Sequence, residues 1–335
     1  MALTGELKDI RQLRRKLSSY TEPILRRSLF ELFITVVLFC FFWILSYQFF
    51  SISSFLMFVF SLPAGVFLTR LFIIQHDCGH GSFFKNKKMN DYVGRVIGVV
   101  TLTPYYVWKK NHAVHHATSG NLDKRGVGDV NTLTTTEYWM LNFSGRLAYK
   151  IYRNPFIMFG IGPAYMFLIR HRIPYGFRQG TVKYWFSAIS FNLVICLLLI
   201  LLISKMGFTP FLLVHALVIL IAASIGLWLF YVQHQFENVF WKRQENWEFD
   251  RAAIYGSSYY TLPPLLMWLT GNIGIHHVHH LNSRIPFYRL SEVLDNHQEL
   301  TNINRITLKE SVKCLKYRLF CEKSEKLINY DEVNL

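Results

Sequence analysis

The chain has 335 residues, 52% of them hydrophobic, yet it carries a formal charge of +15. The apolar residues collect in long blocks, which excludes an ordinary soluble domain and points to a membrane protein. The basic excess then suits anionic headgroups and acidic partners, and with no nucleic-acid signature beside it no nucleic acid is expected. Five cysteines (Cys40, Cys78, Cys196, Cys314, Cys321) form no C-x-x-C and read as reduced thiols.

Residues 6–20 (ELKDIRQLRRKLSSY) place Leu7, Ile10, Leu13 and Leu17 at helical spacing among basic residues, the pattern of an amphipathic helix on a membrane surface or of a solvated helix. Two apolar blocks follow, 29–50 and 55–74, each long enough to cross a bilayer and forming a hairpin over Ser51–Ser54. Pro63 and Gly65 mark a kink in the second. A long segment, 75–183, is rich in charge and histidine. Within it 155–169 is apolar but short and broken by Pro163, as in an interfacial or half-inserted helix. A second pair of spans occupies 184–203 and 209–232, joined near Lys205. Residues 259–269 are too short and proline-broken to cross, and from Ser291 on the chain is polar and helical in pieces. The expected fold is an all-α integral membrane protein: four transmembrane helices in two hairpins, with a helical cap. It forms a single domain over 1–335, divided as 1–28, 29–74, 75–183, 184–232 and 233–335. The hairpin links hold only Lys205, so the positive-inside rule puts both termini and the long loop in the cytoplasm, in the plasma membrane of the cell.

On that one side fall four histidine groups. His76 and His80 are at i and i+4; His112, His115 and His116 are at i, i+3 and i+4; His276, His279 and His280 repeat that spacing; His234 ends the fourth span. On helices each group presents its rings to one face. Neutral imidazole is a common metal ligand. Nine such donors are too many for one ion of about four ligands and suit two. Iron, copper or zinc fit this donor type better than magnesium or calcium. His277 lies off the face of its neighbours and is read as supporting them or as structural. Asp77, Asp123, Asp129 and Glu237 are candidates to orient ring N–H groups. His171, His215 and His297 stand alone and are read as structural.

The three boxes, His76-x3-His80, His112-x2-His115-His116 and His276-x2-His279-His280, resemble those of the membrane-bound fatty acid desaturases. The flanking stretches LFIIQHDCGHGSFF, HHATSGNLDKRGVGD, YRNPFIMFGIGP, GLWLFYVQHQFE and GNIGIHHVHHLNSRIP resemble the bacterial acyl-lipid type, notably the phospholipid Delta-5 desaturases. The resemblance spans pieces of 71–290. It implies a cytoplasmic di-iron site ligated by His76, His80, His112, His115, His116, His234, His276, His279 and His280. It also implies an O2-dependent reaction placing a cis double bond in a membrane phospholipid acyl chain. Animal acyl-CoA relatives carry an Asn one turn before the fourth-span histidine, where it holds a water on one iron. Phe230 stands there here, so that contact is absent or falls to another residue such as Gln233 or Asn272. An acyl tunnel between the second and fourth spans would be lined by Thr69, Leu227 and Phe230. With no His-Pro-Gly-Gly heme motif in the chain, electrons are expected from a separate ferredoxin or flavodoxin. The alternatives are a lipid hydroxylase on the same scaffold, a zinc-dependent membrane hydrolase and a histidine-rich metal transporter.

Overall fold

The structure is a computed structural model, and it describes residues 2–173 and 181–332. Residues 174–180, in the long loop, and the side chain of His171 lie outside that description. In chain order the helices are α1 (Ala2–Lys16), α2 (Leu25–Phe49), α3 (Ser54–His80), α4 (Lys87–Val100), α5 (Tyr105–Thr118), α6 (Thr135–Met140), α7 (Phe143–Tyr152), α8 (Gly162–Leu168), α9 (Thr181–Met206), α10 (Phe208–His234), α11 (Phe249–Tyr255), α12 (Pro264–Leu269), α13 (His276–Leu281), α14 (Leu290–Asn296) and α15 (Leu308–Ser311). Among the described residues four three-residue strands join them: β1 (Tyr259–Thr261), β2 (Arg305–Thr307), β3 (Leu319–Cys321) and β4 (Lys326–Ile328). β1 pairs in parallel with β2, and β3 pairs antiparallel with β4.

The chain divides into two compact units. The span unit comprises Pro23–Lys110 and Phe159–Leu227; the histidine-rich unit comprises Met1–Glu22, Asn111–Met158 and Trp228–Leu335. Among the described residues, α2, α3, α9 and α10 are the four helices long and apolar enough to cross a membrane. Their outer apolar side chains stay uncovered: Leu197 of α9 is 68% exposed, which only lipid makes tolerable.

In the span unit, Ser53 caps α3 by accepting from the Leu56 N–H, and the hairpin is tied further by Ser46 Oγ and Ser61 Oγ, 2.7 Å apart. A buried ion pair joins Glu31 of α2 to Arg70 of α3, which also donates to Thr35 Oγ1. Charge inside a span survives only when paired in this way. α3 runs unbroken through Pro63. Gly65 lets its backbone meet α10, where an added Cβ would lie 2.4 Å from Ile221. The apolar stretch after Asn154 is broken as its composition suggests, with a π turn at Ile157–Ile161 leading into α8 and Pro163 in the first turn of that helix.

In the histidine-rich unit, α1 does not present its apolar stripe outward. Ile10 is buried, and Leu17 beyond the helix is fully buried. α1 packs on α11, where Arg11 and Arg14 both pair with Asp250. The C-terminal part is not helical in pieces alone. The β3–β4 hairpin closes a small core of Tyr138, Tyr149, Leu319 and Ile328. Its strands are tied outward by the Phe320 N–H to the Leu133 carbonyl and the Leu327 N–H to the Glu237 carbonyl.

Candidate metal centre

Helical spacing delivers the rings of the histidine-rich unit in two groups. In one, His115 on α5, His234 at the end of α10, and His276 and His280 on α13 are all buried, with one ring nitrogen from each within 4.8 Å of the others. His115 Nδ1 donates to Asp129 Oδ1 at 2.5 Å, and His234 Nδ1 donates to the Gly256 carbonyl at 3.2 Å. Both acceptors fix the tautomer, with the proton on Nδ1 and the lone pair on Nε2. Those two bare Nε2 atoms face each other at 3.2 Å. No hydrogen bond can form between two lone pairs, so the contact is repulsive unless a cation lies between them. His234 Nε2 is also 3.0 Å from His276 Nε2, and His280 Nε2 is buried with no hydrogen-bond partner among the described residues. Burial, reinforced by the neighbouring rings, holds the His280 imidazole well below its usual range and therefore neutral. This is a donor set shaped for a metal ion.

The second group is His112, His116 and His279, with His116 Nε2 3.1 Å from His112 Nε2 and 3.2 Å from His279 Nε2. In the span unit, His76 and His80 meet one turn apart at the end of α3, Nε2 to Nε2 at 3.3 Å, with Asp77 Oδ1 3.3 Å from His76 Nδ1.

The supporting residues sort differently from expectation. Asp129 orients His115, and it is set by the loop 126–129. Gly128 there has φ +76°, and a Cβ on it would lie 3.2 Å from His115 Cβ. His277 points elsewhere: its Nε2 donates to the Leu300 carbonyl at 3.0 Å, and burial lowers its pKa to about 4. Asp123 and Glu237 do not orient rings. Asp123 accepts from Arg243, and Glu237 from Tyr317 and Lys326, because both sit on exposed loops rich in cations. Neither proposed substitute for the missing Asn makes a side-chain hydrogen bond to a box histidine among the described residues. Gln233 donates to the Ile273 carbonyl at 3.0 Å, and Asn272 makes a turn at φ 51° with no side-chain bond to a box histidine among the described residues. Phe230 instead lies against His115 and His234, ring centroids 5.2 and 5.1 Å away. Thr69, expected in an acyl tunnel, is buried, and its hydroxyl donates to the carbonyls of Gly65 and Ala222 where α3 meets α10. Leu227 is half-buried. His215 stacks on Phe211, and His297 approaches Glu299. Sequence reasoning missed the Gly256 carbonyl, because a main-chain acceptor leaves no residue signature.

Four apolar helices of spanning length and a buried cluster of facing imidazole lone pairs define a membrane metalloprotein. Residues 53–307 match the family model described as fatty acid desaturase. A fatty acid desaturase of Bacillus subtilis is 44% identical over 320 residues, covering 96% of this chain and 90% of that one. An sn-1 acyl-lipid omega-3 desaturase (ferredoxin) of Synechocystis sp. is 28% identical over 284 residues, 80% of this chain and 74% of that one. An sn-1 oleoyl-lipid 12-desaturase of Anabaena variabilis is 25% identical over 250 residues, 70% and 67% of the two chains. The chain belongs to the fatty acid desaturase family. It is an enzyme, and its histidine clusters suit it to a metal cofactor.

Proposed function

We propose that the enzyme puts a cis double bond into the acyl chain of a membrane phospholipid, using O2, two iron ions and electrons from an external ferredoxin or flavodoxin. The observation that carries this reading is the pair of bare Nε2 atoms of His115 and His234 in an all-imidazole pocket. Family membership supplies the reaction class, and relatives named as acyl-lipid and ferredoxin desaturases support the substrate and the donor. The +15 charge suits an acidic donor protein. The whole chain then works as one catalytic domain in the plasma membrane, its termini and metal site cytoplasmic, as the basic residues suggest.

The iron pair, when bound, supplies the oxidising power that an unactivated C–H bond requires, which side-chain acid–base chemistry lacks. Two hydrogens from adjacent methylenes, two electrons and two protons reduce one O2 to two waters. The chain's own residues prepare the site. Asp129 and the Gly256 carbonyl hold His115 and His234 as Nε2 donors. Phe230 packs an apolar ring against both imidazoles. His276 and His280 complete that donor set, His112, His116 and His279 form the other, and the family resemblance adds His76 and His80 to the ligands.

Expression in a host without unsaturated acyl chains tests the reading. The product should be an alkene in phospholipid, with iron co-purifying, and alanine at any box histidine should abolish it while membrane insertion persists. An alcohol product would make the enzyme a hydroxylase. Zinc without iron would favour a zinc-dependent hydrolase.

A further inference from the structure

Arg153, just past the C-terminal end of α7, is fully buried in the histidine-rich unit, and among the described residues none of its hydrogen-bond acceptors is a carboxylate. Its Nη1 donates to Thr132 Oγ1 at 2.9 Å and to the Asn131 carbonyl at 3.4 Å. Its Nη2 donates to Gln235 Oε1 at 2.9 Å, the Tyr317 carbonyl at 2.9 Å and Tyr231 Oη at 3.3 Å. Thr132 Oγ1 donates in turn to Gln235 Oε1 at 3.1 Å.

These anchors are not scattered. Gln235 follows His234 directly, and Tyr231 lies one turn before it on α10. Asn131 and Thr132 follow Asp129, whose carboxylate holds His115. One arm of the guanidinium therefore grips the loop that aims His115, and the other grips the helix end that carries His234. Tyr317 supplies a third anchor from beyond residue 307, where the family match ends. A lone buried cation is costly, and hydrophobic packing would serve mere stability better. A rigid planar fork is what bridging two elements at fixed separation requires.

We propose that Arg153 is a positioning residue for the four-histidine site, setting the spacing of His115 and His234 through the Asp129 loop and the end of α10. The C-terminal segment at Tyr317 is part of that clamp. This rests on the two-metal reading above.

The test is release of metal from purified, iron-loaded enzyme to a chelator, followed beside thermal melting, for wild type, Arg153→Lys and Thr132→Val. Lysine keeps the charge but offers one point in place of a fork. One of the two irons should leave about tenfold faster from Arg153→Lys, the other at the wild-type rate, with the melting temperature unchanged. Thr132→Val should show the same selectivity more weakly, and it decides the matter if the lysine variant does not fold. Equal loss of both irons in step with a lower melting temperature would reduce Arg153 to a structural role and overturn the proposal. Wild-type release rates in both variants would overturn it too. Wild-type enzyme that holds no iron pair would instead overturn the two-metal reading itself.

Discussion

Asp129 Oδ1 lies 2.5 Å from His115 Nδ1, and that contact decides which nitrogen of His115 faces His234. A carboxylate so placed makes the ring a stronger donor at its other nitrogen. Asp129→Ala should lower metal affinity by about 10- to 100-fold, and Asp129→Asn, which keeps an acceptor, by less. Anaerobic Fe(II) titration of the metal-free variants measures this, and unchanged affinity in Asp129→Ala would remove Asp129 from the site.

The loop behind that carboxylate gives a paired test. Gly126 and Gly128 both have positive φ, +102° and +76°, but a Cβ at Gly126 meets open space while one at Gly128 meets His115. Both alanine variants should lose about 1–2 kcal/mol of stability to backbone strain. Only Gly128→Ala should also lose bound metal. Equal metal content in the two would show that His115 tolerates the displacement.

Glu31 and Arg70 are each 1% exposed, so neither charge can be left alone. Glu31→Met should destabilise the span unit by about 3–5 kcal/mol, and Arg70→Met added to it should restore much of that. Melting curves in one detergent would show the recovery. A double variant no better than the single would mean that the pair contributes more than neutralisation.

The cysteines should differ in reactivity. Burial pushes the Cys314 thiol up to about 12. Burial also raises Cys321, but hydrogen bonds from Ser324 and Lys323 outweigh it and bring that thiol below its usual range. Since thiolate is the reactive form, iodoacetamide at neutral pH should label Cys321 first and Cys314 only on unfolding. Peptide mass spectrometry gives the order, and early labelling of Cys314 would mean that its segment opens readily.

Much of this was legible in the sequence. Hydropathy found all four spans, and helical spacing put His112, His115 and His116 on α5 and His276, His279 and His280 on α13. The apolar blocks end short of the helices themselves, since α3 and α10 continue to His80 and His234 past the stretches that mark the spans. A hydrogen-bond ladder does not stop where lipid contact does. The inward turn of α1 was hidden because its partner, Asp250, lies over two hundred residues away. The strands escaped because three residues carry too little alternation to register, and Arg153 because burial of a cation is invisible without its acceptors.

His116 and His279 stand 3.2 Å apart in space but 163 residues apart in the chain. At ordinary rates of synthesis the first leaves the ribosome roughly 10–30 seconds before the second. For that interval the second box is an incomplete ligand set, open to any divalent ion present, and tight binders such as copper or zinc would have the advantage. Acquiring the right metal is then partly a matter of timing. The histidine-rich unit has to close late, after its C-terminal strands are made, or hold its early ligands in reserve until they are.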